Sequence, residues 1–149
     1  MVQARIENPV VIFPHVQQRL QSLQAMIDEA GLASTIQNLV RLRASQINGS
    51  SPCVYAASKQ AREDGETGNR LLSVAVWRHT PYFTAAERAA LALTEMVTRL
   101  EGVDPVPESV WQEATKHFDE RSMAALLLTL SITNINNRLN VSTRQVAGA

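Results

Sequence analysis

The chemistry-bearing residues of this chain concentrate at one place, the segment Asn48-Gly49-Ser50-Ser51-Pro52-Cys53. Gly49 permits a sharp turn, and serine followed by proline reads as the start of a helix, with Ser51 as N-cap and proline at the first helical position. Cys53 then falls in the first turn, where unpaired backbone amides and the helix dipole favour negative charge. A thiol so placed has a lowered pKa and a larger thiolate fraction, and the thiolate is the species that attacks a peroxide. The structural alternative is a small buried hydrophobe, the commonest fate of a free cysteine. No base shares the Cys53 face, because the residue one turn along is Ala57.

The remaining candidates carry weaker signals. His15, His79 and His117 are scattered, with no metal-ligand spacing among themselves or to Cys53, and read as surface or helix-end histidines. Glu87 reads as a helix cap. Glu95 lies eight residues further along the same helix, on roughly the same face, and if buried is expected to pair with an arginine. Trp77 and Trp111 have apolar neighbours and read as core or interface packing. The chain contains no glycine-rich loop that would cradle a phosphate.

These residues must be positioned by helices. Val16, Leu20, Leu23 and Ile27 recur at helical spacing over Val16 to Ala30, with Gly31 as a stop. Ser34 or Thr35 can cap the next helix, with Ile36, Leu39, Val40, Ala44 and Ile47 as its stripe and Asn48-Gly49 as its end. The Cys53 helix runs to Asp64 before Gly65. Thr67 can cap a short fourth helix through Trp77, and Pro81 breaks the chain by disfavouring the α conformation at Thr80. Thr84-Ala85-Ala86-Glu87 is a capping box opening Ala85 to Leu100. Pro105 and Pro107 lead into a sixth helix ending near Phe118, and Asp119 caps a seventh through about Leu139. The run Met123 to Ile132 leaves that helix little polar face, so it belongs in a core or a subunit interface. The expectation is an all-α single domain of about seven helices, with a core over residues 14–140 and a mobile tail over 141–149. No alternating strand, internal repeat or low-complexity segment is apparent.

Composition bounds the function. A chain of 149 residues buries enough surface to need neither disulfide nor metal. Its 14 basic and 14 acidic residues balance, which argues against a nucleic-acid partner and gives no polybasic membrane surface. One cysteine cannot form an intrachain disulfide. The opening Pro9-Val10-Val11-Ile12-Phe13-Pro14 is too short for a signal peptide, and Met123 to Ile132 is far below the roughly 20 residues that span a bilayer. A soluble, cytoplasmic chain is expected.

The order of motifs resembles that of the alkylhydroperoxidase D-like (AhpD-like) proteins of the carboxymuconolactone decarboxylase family. Leu42-Arg43-Ala44-Ser45-Gln46-Ile47-Asn48-Gly49 is similar to the run entering their active-site cysteine pair. The likeness continues through Ser58-Lys59-Gln60-Ala61-Arg62, Gly65-Glu66 and Arg70-Leu71, and is strongest over Trp77-Arg78-His79-Thr80-Pro81-Tyr82-Phe83-Thr84 and Glu87-Arg88-Ala89-Ala90-Leu91-Ala92. It resumes at Asn134-Ile135-Asn136-Asn137-Arg138-Leu139. The resemblance implies an all-helical fold assembling as a trimer or hexamer, with the apolar last helix near subunit contacts. It also implies peroxide reduction by paired cysteines, one attacking and one resolving, aided by a glutamate and a histidine; no cofactor is implied.

The chain departs from that pattern at the site itself. Cys53 matches the second cysteine, whereas Ser50 stands at the first and cannot form a disulfide. Ala57 stands for the histidine beyond the pair, Asn38 for the glutamate twelve residues before it, and Pro52 at a position that is histidine in some members. A Cys53 sulfenate would need an external thiol reductant or be overoxidised. Losing a general base commonly costs about 10²–10⁴-fold in rate. Ser50 would retain the ability to donate a hydrogen bond to the thiolate. Three functions therefore compete. One is a weak peroxidase or other thiol enzyme acting through Cys53, with Ser50 assisting. Another is a non-catalytic binding or assembly protein, and the third is a cysteine-independent enzyme like the lactone decarboxylases.

Overall fold

Helix-favouring stripes and stop signals divide the chain into eight α-helices and one 3₁₀ segment in a computed structural model that describes residues 2–148. They are α1 (Pro9–Ile12), α2 (Pro14–Asp28), α3 (Ser34–Asn48), α4 (Ser51–Glu63), α5 (Gly68–Ser73), the 3₁₀ turn Val74–His79, α6 (Ala85–Arg99), α7 (Glu108–Thr115) and α8 (Glu120–Thr143). Among the described residues there is no strand, so the fold is all-α, as the sequence predicts.

Helix α3 is the axis of the molecule and packs on α4, α6 and α8. Ile36, Val40 and Ala44, spaced by four, join Leu93, Leu126 and Leu130 in a larger apolar cluster. Leu39 and Leu42 turn to the other side and meet Ala57, Val74, Trp77, Phe83 and Leu91. Gln37, Arg41, Ser45 and Asn48 form a third stripe at helical spacing. One helix thus separates two cores and carries a polar seam.

Two ionic nodes pin the 3₁₀ segment and α5 to α6. Glu95 is buried and accepts hydrogen bonds from Arg43 (3.0 and 2.8 Å), Arg78 (2.7 Å) and the Trp77 indole N–H (3.1 Å). The expected arginine pairing of Glu95 is therefore present, with Arg43 and Arg78 hydrogen-bonded to it and Arg99 3.8 Å away, and Trp77 is a core residue with a satisfied polar tip. Trp111 packs half-buried against the larger cluster. Glu87 closes the capping box with Thr84 and also binds Arg70 at 2.6 Å, which in turn pairs with Glu66 at 2.7 Å.

Several boundaries differ from the sequence reading, each for a local reason. A separate turn, α1, is capped by the Asn8 side chain, and Pro14 starts α2 two residues early. Val16 is exposed and only Ile27 of the α2 stripe is fully buried, because α2 lies at the edge of the bundle. Ala33, with no side-chain cap, precedes α3, so Ser34 and Thr35 lie inside it. Ser50, not Ser51, is the N-cap position of α4, and its hydroxyl makes no capping bond. The expected fourth helix kinks at Val76 (φ −123°) and tightens to 3₁₀. Leu100 is not helical but caps α6 in the left-handed region (φ 48°). Helix α8 continues to Thr143, past the expected start of a mobile tail at 141. There the Arg5 N–H donates to the Thr143 carbonyl and the Gln145 amide donates to the Ile6 carbonyl, so the two ends of the chain lie together. Residue 149 of that expected tail lies outside the described residues. No helix among the described residues is long and apolar enough to cross a membrane.

The Glu95 node makes two measurable demands. Glu95→Gln leaves Arg43 and Arg78 without their counter-charge and should cost about 3–5 kcal/mol in urea unfolding at neutral pH; an unchanged midpoint would contradict this role. Burial acts to raise the Glu95 pKa, but the Trp77 N–H, Arg43 and Arg78 outweigh it and hold the carboxyl below its ordinary 4.5. Glu87 is likewise held low, burial being outweighed by Arg70 and Thr84. Carboxyls depressed in the folded state stabilise it fully above their unfolded pKa and lose that contribution as pH falls through the folded value. Wild-type stability should therefore decline below about pH 4.5, with a shallower decline in Glu95→Gln.

Candidate functional site

The turn that delivers Cys53 follows from Gly49. Its φ of 68° is left-handed, and the Gly49 and Ser50 N–H groups return to the Gln46 and Ser45 carbonyls to close α3. The chain then re-enters a helix at Ser51. Asn48 holds this corner from the side by donating to the Asn134 and Asn137 carbonyl oxygens, both at 2.9 Å. Asn137 is fully buried and donates to the Ser45 hydroxyl at 3.0 Å. The end of α3 is thereby bolted to α8 by amides rather than by apolar packing.

Cys53 is half-buried and lines a pocket of about 680 Å³ between α2, α3, α4 and α8. Its Sγ accepts a hydrogen bond from the Asn140 Nδ2 at 3.1 Å. The Asn140 Oδ1 is occupied by the Asn8 Nδ2 at 3.0 Å, which fixes the amide with its N–H toward the sulfur. A donated N–H strengthens when its acceptor gains negative charge, so this chain of amides suits a sulfur that becomes anionic.

The positions that depart from the AhpD-like pattern are accounted for one by one. Ser50 is 1% exposed and its Oγ has no hydrogen-bond partner, so the expected bond from Ser50 to the Cys53 sulfur is not formed. Ala57 is buried against the smaller core, and Asn38 is buried and donates to Asp64 at 2.7 Å. His15 contacts Gln18 and His117 lies 3.6 Å from Glu113, and none of His15, His79 and His117 lines the Cys53 pocket. Among the described residues no group of three or more His, Cys, Asp or Glu is arranged to hold a metal.

Asn140, Asn8 and Arg41 are the site residues that the sequence reading passed over. Thr133, Asn136, Asn137 and Asn140 follow at helical spacing beyond the apolar run of Met123 to Ile132, which is a sequence signal for Asn140. Helix α8 thus carries a polar stripe, buried at Thr133 and Asn137 and half-buried at Asn136 and Asn140, in contrast to the little polar face that the sequence predicts. Asn8 had no such signal, because it reaches Asn140 across 132 residues of chain.

Comparison with known proteins agrees with the geometry. Residues 14–96, more than half of the chain, match the model of the carboxymuconolactone decarboxylase family. The uncharacterised protein YdfG of Bacillus subtilis is 26% identical over 131 residues, covering 88% of each chain. A crystal structure of an Agrobacterium tumefaciens protein of unknown function, proposed to be the antioxidant defence protein AhpD, superposes with a TM-score of 0.90 at 27% identity over 99% of both chains. The debrominase Bmp8 shares the fold, with a TM-score of 0.79 at 17% identity over 93% of this chain and 75% of its own. The chain belongs to the carboxymuconolactone decarboxylase family, and its helices adopt the AhpD-like fold.

Proposed function

We propose that the protein is a slow, single-cysteine thiol peroxidase in which Cys53 attacks a small organic hydroperoxide held in its pocket. The observation that carries this reading is the half-buried Cys53, which lines a ligand-sized cavity and whose sulfur receives the Asn140 N–H. In the first step the thiolate sulfur bonds to the terminal peroxide oxygen and the O–O bond breaks. The alkoxide leaves, takes a proton from water and departs as the alcohol, while the sulfur, oxidised by two electrons, becomes a sulfenic acid. Ser50 cannot resolve it. An external thiol therefore condenses with the sulfenic acid, releasing water, and a second thiol reopens the mixed disulfide to restore Cys53. With Asn38 and Ala57 in place of proton carriers, turnover should fall about 10²–10⁴-fold short of a site that keeps its base. Such a cycle draws on a reducing thiol pool, so a cytoplasmic setting is part of the proposal. So is assembly as a trimer or hexamer, supported by the exposed stripe of Leu128, Ser131 and Ile135 on α8.

Three measurements test this reading. Cumene hydroperoxide should consume one thiol per chain faster than it consumes free cysteine, with dithiothreitol supporting turnover. Cys53→Ser should abolish this, and Asn140→Leu should slow it about tenfold or more, from the loss of a hydrogen bond to a charged acceptor worth roughly 1.5–3 kcal/mol. A rate equal to that of free cysteine ends the peroxidase reading and leaves a non-catalytic binding protein, which Asn38, Ser50 and Ala57 would then explain. Ser50→Cys should form a disulfide with Cys53 on peroxide treatment and turn over faster, since residues one helical turn apart lie roughly 5–6 Å apart at Cα; absence of the bridge would show that the corner cannot host the pair. Sedimentation equilibrium should give three or six times the 16.4 kDa chain mass, and Leu128→Glu should lower it; a monomer at micromolar concentration refutes the assembly.

A further inference from the structure

The Cys53 pocket contains a feature that peroxide cleavage does not require. Arg41 is the only formally charged residue lining it, among nine carboxamides. Its Nη2 donates to the Gln37 Oε1 at 2.9 Å, and it forms no ion pair with any Asp or Glu among the described residues. Asp28 and Asp64 are close enough to be felt, yet each is engaged elsewhere. Asp28 accepts from Gln24 at 2.8 Å, and Asp64 accepts from Asn38 at 2.7 Å and Gln60 at 3.0 Å. Burial lowers the Arg41 pKa, and these two carboxylates offset that only in part. The other arginines that reach into the fold, Arg43 and Arg70, each have a carboxylate within 2.8 Å.

Arg41 is also held in place. The buried Gln37 donates its Nε2 to the Leu32 carbonyl at 3.0 Å, so its Oε1 must face Arg41. A guanidinium has five N–H donors in a planar fork that matches a carboxylate. Among the described residues only one of those donors is engaged. Leu20, Ala56, Ala57, Ile132 and Val146 supply apolar wall in the same cavity for a short hydrocarbon.

We propose that this pocket selects organic acids: Arg41 grips a carboxylate while the reactive end of the same molecule meets Cys53, which makes hydroperoxides of small carboxylic acids the preferred substrate class. The proposal rests on the reading of Cys53 as the nucleophile of this pocket. Its test needs no peroxide. ω-Iodoalkanoic acids with chains of about two to eight carbons are compared with their amides as alkylating agents of Cys53; in each case the S–C bond forms as iodide leaves.

At one chain length or more the acid should react about tenfold faster than its amide, and saturably, whereas free cysteine shows no acid preference. Arg41→Gln should bring the ratio to that of free cysteine, and Arg41→Lys should keep part of it. In the wild type alone, octanoate should protect Cys53 from iodoacetamide better than octanamide does. A ratio at or below one at every length, or equal protection by acid and amide, overturns the proposal. Acid preference without oxidation of Cys53 by either cumene hydroperoxide or a fatty-acid hydroperoxide would refute the peroxide reading alone; turnover of hydroperoxides without acid preference would refute the anion site alone.

Discussion

Helix α3 is buried on three sides, and the rest of the molecule is arranged around that constraint. The consecutive residues Ile36 to Val40 are all buried, which no surface helix allows. Each side must then find its own kind of partner: aliphatic side chains from α6 and α8 on one face, the aromatic cluster of Trp77 and Phe83 on another, and amides from α2 and α8 on the third. The polar seam cannot be left dry and unpaired, because a buried amide without partners costs about 1–3 kcal/mol. The Asn48, Asn134, Asn137 and Ser45 bonds meet that requirement. They also hold the corner at Gly49, and so the position of Cys53.

Charge is distributed unevenly across this frame. On the side of α5, the 3₁₀ segment and α6, Glu66, Glu87 and Glu95 are neutralised by arginines at close range. Arg70 also stacks over Phe83, and Arg78 over Trp77, so cation and carboxylate are locked in one layer. That half of the molecule is built to stay shut. On the pocket side the only formal charge is Arg41, and neutral amides surround it. The contrast sets the paired charges of that half apart from Arg41, which is in no ion pair among the described residues.

The AhpD-like scaffold carries its own set of neutral groups around Cys53. Asn38 is turned to Asp64, the Ser50 hydroxyl is enclosed without a partner, and Ala57 has joined the smaller core. What remains beside the sulfur is an amide relay from Asn8 through Asn140, which orients a hydrogen bond but carries no proton. A shared fold thus says little about rate or substrate, which reside in the groups that touch the reacting atom.

Local signals in this sequence are dense enough to specify most of the helices. Thr84 with Glu87, Asp119, Gly49 and the proline pairs act on residues within one turn, and periodic apolar positions mark the buried faces; the helices appear near those marks. The lone thiol was equally legible, because it is a matter of residue type alone. The end of α4's cap, the 3₁₀ tightening at Val76 and the last turn of α8 were not, since tertiary packing outweighs weak local preference there. The site's neighbours belong wholly to the tertiary structure. Asn140 meets Cys53 across 87 residues and Asn8 meets Asn140 across 132. Arg41 forms no ion pair among the described residues, while Asp64 accepts from Asn38 and Gln60 and Asp28 accepts from Gln24. A sequence can state which donors and acceptors a chain owns; which of them meet, and which one is left facing a cavity, depends on the packing of helices far apart along it.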